Sequence, residues 1–485
     1  MSTPDAIVVG AGPNGLAAAV TLARAGLAVE LYERAPTVGG GARTAATTDP
    51  GFLHDLGSAV HPMALASPFF RAFGIEQRVD FVVPEISYAH PLDGAGGAMR
   101  AGLAWRELDR AAAELGRDGR AWHRLFAPLV RESDALLDIV GDTLLRLPRH
   151  PLTLARFGLR SLEQGGPAWN LRFRDETAPA MLGGLAAHAA GRMPHPVRAG
   201  AGLLLGALAH ARGWPIPVGG SQAISDALAA DFVAHGGRIH LDAEVADVRE
   251  LPAARAVLLD VAAPIAARIA AGRIPDASRR RLARVRFGAG VFRLDLAVSA
   301  PIPWRDTRIG GAGTVHLGGT RSRIAEAERR TPNGLPPHPF VLLSQPTLFD
   351  PSRAPAGRHT VWAYTHVPAG SAVDAEEAIL ATIEAAAPGF RDTIIARASR
   401  TAPQLEQENP SLIGGDISGG LIDVRQTVFR PRARTPWAIG DGVYLASSSA
   451  APGPGVNGLA GWRAALSALG REFGLPAPGL GAEPG

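Results

Sequence analysis

One ten-residue stretch limits this chain more than any other. Ala6-Ile7-Val8-Val9-Gly10 reads as a buried parallel strand and runs without a break into Gly10-Ala11-Gly12-Pro13-Asn14-Gly15. A helix is expected over 14–25, stopped by Gly26, with a second strand over 28–33 ending in Glu33. The glycines act separately. Gly10 permits the tight turn, Gly12 lets a pyrophosphate approach the backbone, and Gly15 lets the helix lie close to the sheet. Pro13 and Asn14 then open the helix, whose amino end attracts an anion. Glu33 is placed to accept hydrogen bonds from ribose hydroxyls and would repel a 2′-phosphate. This βαβ unit therefore predicts a dinucleotide, FAD or NAD rather than NADP.

The next residues favour FAD. Glu33-Arg34 leads into Val38-Gly39-Gly40-Gly41-Ala42-Arg43-Thr44, a glycine cluster closed by a cation and a hydroxyl that can wrap the far side of a pyrophosphate. At this point the chain resembles the FAD-dependent superfamily of phytoene desaturases, carotenoid isomerases, retinol saturase and amine oxidases, and its phytoene-desaturase-like branch in particular. The resemblance implies non-covalent FAD, bound by Gly10, Gly12, Pro13, Asn14, Gly15, Glu33, Arg34, Gly40, Gly41, Ala42 and Arg43. It extends to Val218-Gly219-Gly220-Ser221-Gln222 with Val245, and to Gly453-Pro454-Gly455-Val456-Asn457-Gly458. In these stretches Val245 is an implied backbone contact to the adenine side of FAD, and Gly453, Gly455, Val456 and Asn457 are implied contacts of the flavin ring. Gly414-Gly415-Asp416-Ile417 resembles a loop that lines the ring, which makes Asp416 a candidate substrate contact.

The expected fold class is α/β: a split Rossmann-like FAD-binding domain made of residues 1–75, 215–300 and 406–485, with an α+β substrate domain inserted twice. Residues 76–214 read as its helical block. Residues 301–405 read as its sheet block, on alternating runs such as Phe340-Val341-Leu342-Leu343 and His359-Thr360-Val361-Trp362-Ala363-Tyr364. The closing glycines also satisfy Gly-x-Gly-x-x-Gly. No second strand with an acid follows them, so a helix from about Gly458 pointing its positive end at the flavin pyrimidine is the preferred reading. Asp441-Gly442 reads as a turn, and the Gly/Pro-rich tail after Leu475 as frayed.

Composition sharpens the chemistry. The 485 residues include no cysteine, so disulfides, thiolate metal ligands and a redox dithiol are excluded and any redox work falls to a bound cofactor. All 49 basic residues are arginine, and a net charge of +4 over this length gives no reason to expect nucleic-acid binding. The arrangement of the amine-oxidase relatives, in which a lysine holds a water near flavin N5, is thus not available. His61 in Gly57-Ser58-Ala59-Val60-His61-Pro62 and His366 in Tyr364-Thr365-His366-Val367-Pro368 are the candidate acid or base residues, each with a structural role as the alternative. Tyr364 is a further candidate substrate contact. No metal site or serine nucleophile motif is present.

The expected reaction is dehydrogenation of an apolar, isoprenoid-like small molecule by hydride transfer to flavin N5. The alternatives are an amine or amino-acid oxidase, a flavin-dependent isomerase or saturase, and a non-catalytic FAD-binding protein. A strand beginning at Ala6 leaves no room for a signal peptide, so the cytoplasm is the expected location. The longest apolar run, over 199–211, is shorter than the roughly 20 residues that cross a bilayer. Residues 125–162 mix leucines with Arg146, Arg149, Arg156 and Arg160, a pattern that fits a peripheral membrane contact or a core-facing helix pair.

Overall fold

Two sheets organise the chain. The computed structural model describes residues 3–93, 99–431 and 437–481. The first sheet has six strands in the order Ala438–Gly440, Val443–Leu445, Ala256–Leu259, Ala6–Val9, Val29–Tyr32 and Arg238–His240. All neighbours are parallel except the outermost pair, Ala438–Gly440 against Val443–Leu445, which Asp441 and Gly442 join as a hairpin. Strand Ala6–Val9 is buried on both faces, as its unbroken apolar run requires. Helix Pro13–Arg24 packs on helices Gln222–Ala234 and Leu459–Ala468, so pieces distant in sequence share one core. This is a mixed α/β fold with a Rossmann-like nucleotide-binding domain.

The second sheet has seven strands in the order Ile394–Arg400, Gly290–Val298, His359–Val367, Val341–Ser344, Ala312–Leu317, Ile86–Asp93 and Met99–Trp105. It is antiparallel apart from the parallel pair Ala312–Leu317 and Ile86–Asp93. Helices Gly119–Arg131, Ser133–Val140, Thr177–Ala187 and Pro196–Ala211 cover one face and share a core with Trp122, Phe126, Trp214 and Phe340.

Several expectations need correction. Strand Gly290–Val298 lies inside the block 215–300 yet pairs in the seven-stranded sheet, and the block 76–214 opens with two strands of that sheet before it turns helical. Within the block 215–300 only Arg238–His240 and Ala256–Leu259 pair in the six-stranded sheet, Ala256–Leu259 as a central strand. The tail is not frayed up to Gly481: Leu480 is buried, and Arg24 donates to the Gly481 carbonyl at 2.9 Å. Among the described residues no helix is long and apolar enough to cross a membrane.

Candidate functional site

Four parallel strands of the first sheet end side by side. The residues that follow them, Gly10, Glu33, Asp260 and Ala446–Ser447, come together at one edge, where the chain reverses direction across the sheet. From this edge a single cavity of about 1020 Å³ runs to the face of the second sheet. Gly10, Gly12, Pro13, Asn14, Glu33, Arg34, Gly40, Gly41, Arg43, Val245, Gly455, Val456 and Asn457 all line it. Of the expected cofactor residues, Gly15, Ala42 and Gly453 do not. Gly15 sits in the first turn of the helix, where it meets the Gly10 carbonyl. Ala42 is buried behind the wall, with its carbonyl accepting from Ser225 Oγ at 3.0 Å.

The glycines work by absence. A Cβ on Gly15 would lie 1.9 Å from the Gly10 carbonyl oxygen, and one on Gly40 would lie 3.0 Å from the Gly12 Cα. Gly10, at φ +96°, adopts a conformation that favours glycine. The result is a narrow cradle of bare backbone at the amino end of helix Pro13–Arg24. Asn14 is buried beside it, its Oδ1 without a partner. Glu33 accepts from the Ala11 amide at 2.7 Å and the Ala35 amide at 2.9 Å, which fixes its carboxylate at the end of the second strand. Arg43 donates from Nε to the Gly40 carbonyl at 2.9 Å and so stiffens the glycine cluster. Bare backbone, helix terminus and a fixed acid together fit an adenine dinucleotide.

Asp260 belongs to no motif that sequence reasoning singles out. Its Oδ2 accepts from the Gly15 amide at 2.8 Å, the same helix-end donor that a phosphate would use. Burial, with a smaller push from Glu33, raises its pKa to about 7. The signal for it is the short run Ala256-Val257-Leu258-Leu259, four apolar residues closed by an acid, which is the pattern of a buried strand leaving the sheet. Arg430 is a second unexpected member: its buried guanidinium lines the cavity, donates to the Ser448 carbonyl at 2.8 Å and the Gly420 carbonyl at 2.9 Å, and lies against Gly453.

The two candidate histidines separate. His61 lines the cavity. Its Nε2 is 2.7 Å from Ser221 Oγ, and that hydroxyl donates to the Ser58 carbonyl at 2.5 Å. With the hydroxyl proton so used, His61 Nε2 carries the proton and Nδ1, which is buried without a partner, holds a free lone pair. Burial lowers the His61 pKa to about 4, so the ring is neutral at pH 7. His366 does not line the cavity. It lies behind Tyr364, with Nδ1 2.6 Å from Glu328 Oε1 and its ring stacked on Phe340. Asp416 does not reach the cavity either: its carboxylate accepts from the Gly288 amide at 2.5 Å and the Ser418 amide at 2.6 Å, closing a turn.

Tyr364 does line the cavity, and it brings Trp362 with it. Alternation along strand His359–Val367 points both to one side, where their rings meet edge to face with centroids 5.5 Å apart. Arg293, directly across from Tyr364 in the sheet, is buried at the same wall, with Nε 3.2 Å from Asp295 Oδ2 and an NH1 bond to the Leu56 carbonyl. Val291, Leu342, Leu405, Leu204 and Phe157 give this lobe a largely apolar wall. Among the described residues no group of three His, Asp or Glu side chains could hold a metal.

Comparisons with known proteins agree with this architecture. A model of the NAD(P)-binding Rossmann-like domain matches residues 8–73. The chain is 27% identical to the rat pyridine nucleotide-disulfide oxidoreductase domain-containing protein 2, over 95% of this chain and 92% of that protein. Among solved structures it resembles an oxidoreductase from Methanosarcina mazei, with a TM-score of 0.63 at 18% identity over 96% of this chain and all of the other. It also resembles putrescine oxidase bound to putrescine, with a TM-score of 0.58 at 19% identity over 96% and 99% of the two chains. These likenesses establish the fold.

Proposed function

We propose that this chain is an FAD-dependent oxidoreductase that dehydrogenates an apolar small molecule. The observation that carries this reading is the continuity of the cavity: one space of about 1020 Å³ joins the glycine cradle at the strand ends to an apolar lobe on the second sheet. A dinucleotide held at the cradle would therefore extend its far end toward whatever fills the lobe. When bound, the flavin supplies the two-electron centre, accepting a hydride from a substrate C–H at N5.

The chain's own residues supply the rest. Gly12, Gly40 and the amino end of helix Pro13–Arg24 would hold the pyrophosphate, with Glu33 on the ribose. Val291, Leu342, Trp362 and Leu405 exclude water and favour an apolar substrate by burying its surface. His61, held neutral by burial and hydrogen-bonded through Nε2 to Ser221, fixes the cavity wall near the cradle. The name of the rat relative refers to disulfide chemistry, which a chain with no cysteine cannot perform.

A second reading, oxidation of an amine, is favoured by the Trp362–Tyr364 pair, because an aromatic wall attracts an ammonium group. Anaerobic absorbance of the purified, FAD-loaded protein during a screen of apolar alkenes, alcohols and amines tests both. Bleaching of the flavin band by apolar substrates without nitrogen supports dehydrogenation; bleaching by amines alone moves the assignment to the second reading. A protein that is colourless after free FAD has been removed by desalting overturns both.

A further inference from the structure

Helix Pro151–Gln164 carries a stripe of exposed leucines. Its buried residues are Thr153, Ser161 and Gln164, all polar, while Leu152, Leu159 and Leu162 face solvent at 79%, 64% and 60% exposure. The polar residues have work inside: Thr153 Oγ1 donates to Glu132 at 2.9 Å, and Gln164 Oε1 accepts from buried Arg321 at 3.1 Å. Leu152, Leu159 and Leu162 fall at i, i+7 and i+10, one stripe of the helix. Neighbouring loops add Leu147 and Leu171, 92% and 85% exposed. Among the described residues, half of all exposed large apolar side chains fall between 144 and 171. A lone exposed leucine is ordinary, but a concentrated patch marks a surface that meets something apolar.

Position says what that something is. The opposite face of the same helix, with Leu154, Phe157, Gly158 and Ser161, lines the cavity, so the helix is its roof. Leu144 and Leu162 are both exposed and cavity-lining, as are Ile417 and Val424 across from them. An apolar path thus leads from the outer patch into the lobe. Arginines line the rim: Arg149 has a three-quarters exposed side chain 3.8 Å from Asp138, Arg174 is exposed, and Arg156 and Arg160 flank the stripe with partners Glu132 and Glu163.

We propose that this face docks on an anionic lipid surface, with Leu147, Leu152 and Leu159 entering the interface and the cavity mouth opening onto the bilayer. Leucines would sit among acyl chains while arginine heads remain at the phosphates. The occupant is a membrane rather than a second copy of the chain because the arginines complement anionic headgroups and the mouth needs an apolar reservoir. The reservoir argument rests on the apolar-substrate reading, whereas the exposed leucines and arginines do not, and vesicle binding is measured without turnover.

The test is co-sedimentation of the FAD-loaded protein with phosphatidylcholine vesicles, with and without phosphatidylglycerol, alongside sedimentation velocity of the protein alone. The wild type should bind the anionic vesicles and release with salt. Leu147→Glu/Leu152→Glu/Leu159→Glu should weaken binding by about tenfold or more while FAD content and melting temperature stay at wild-type values, since none of the three lines the cavity. Arg149→Gln should weaken it by about fivefold, the value of one basic residue near such a surface. Equal binding by wild type and the triple variant, or no vesicle binding at all, overturns the proposal. So does a wild-type dimer that the triple variant converts to monomer, which would assign the face to a second copy.

Discussion

The chain carries the same glycine spacing twice, and the two copies do different things. In the opening turn Gly10 alone has positive φ and the rest of the spacing serves packing: a Cβ on Gly15 would collide with the Gly10 carbonyl, and Gly12 is in extended backbone at the helix N-cap. In the closing turn, Gly453, Gly455 and Gly458 all have positive φ, at +114°, +129° and +67°, so there the spacing serves backbone shape. The close helix contact of that region belongs instead to Gly461, whose Cβ would lie 1.7 Å from the Asn14 carbonyl oxygen. Charge differs as well. The opening turn faces the Asp260 carboxyl, the closing turn the Arg430 guanidinium. A spacing pattern alone therefore does not identify a site; the contacts of each glycine do.

The largest expected effect comes from filling the two helix contacts. Gly15→Val and Gly461→Val each drive a side chain into a backbone carbonyl that cannot move away, and should cost about 3 kcal/mol or more. Denaturant unfolding measures this. A native midpoint in either variant would show that the helices do not pack as closely as described. Gly12→Val is a sharper probe, because its Cβ meets only the end of the Asp260 side chain, at 2.6 Å. The fold should survive while FAD affinity falls by about 100-fold, some 2.7 kcal/mol, from the blocked pyrophosphate. Fluorescence titration with FAD separates the two, and an unchanged affinity would remove the cradle assignment.

Gly455→Ala probes the closing turn. At φ +129° an alanine is strained at a cost of about 1–3 kcal/mol, and the added carbon would come 2.7 Å from Asn457 Nδ2, a side chain able to shift. The expected result is a modest loss of stability with weaker FAD binding. Unaltered stability would mean that the turn can adopt another shape, and the contrast between the two motifs would dissolve.

That contrast also explains what was legible in the sequence. The opening βαβ unit could be read because its strand, turn, helix and acid are consecutive, so local spacing encodes the three-dimensional arrangement. Asp260 could not, because its role depends on strand Ala256–Leu259 lying beside Ala6–Val9, a pairing that joins Ala6 to Ala256. His61 and Tyr364 reach the cavity as expected, but His366 and Asp416 had chemistry without position: both are turned to local partners, Glu328 in one case and backbone amides in the other. Trp362 and Arg293 were hidden for the same reason as Asp260. Strand alternation and cross-strand register, not motif, bring them to the cavity wall.

The smallest effect tests the acid at the opening turn. Unfolded, Asp260 has an ordinary pKa of about 3.9; folded, burial and then Glu33 hold it up to about 7. The folded state therefore keeps a proton that the unfolded state gives up, so this residue's contribution to stability declines as pH rises from about 4 to about 7 and is level above that. A pyrophosphate beside it would raise the pKa further. FAD binding is then coupled to proton uptake above pH 7, and affinity should weaken as the medium becomes more alkaline, by at most about tenfold per pH unit. Asp260→Asn keeps the shape and an acceptor for the Gly15 amide but cannot ionise, so its FAD affinity should be flat across the same range. A wild-type affinity that does not change between neutral and alkaline pH would show that Asp260 leaves the helix end when phosphate arrives. The charge difference between the two glycine turns would then be a property of the ligand-free protein alone.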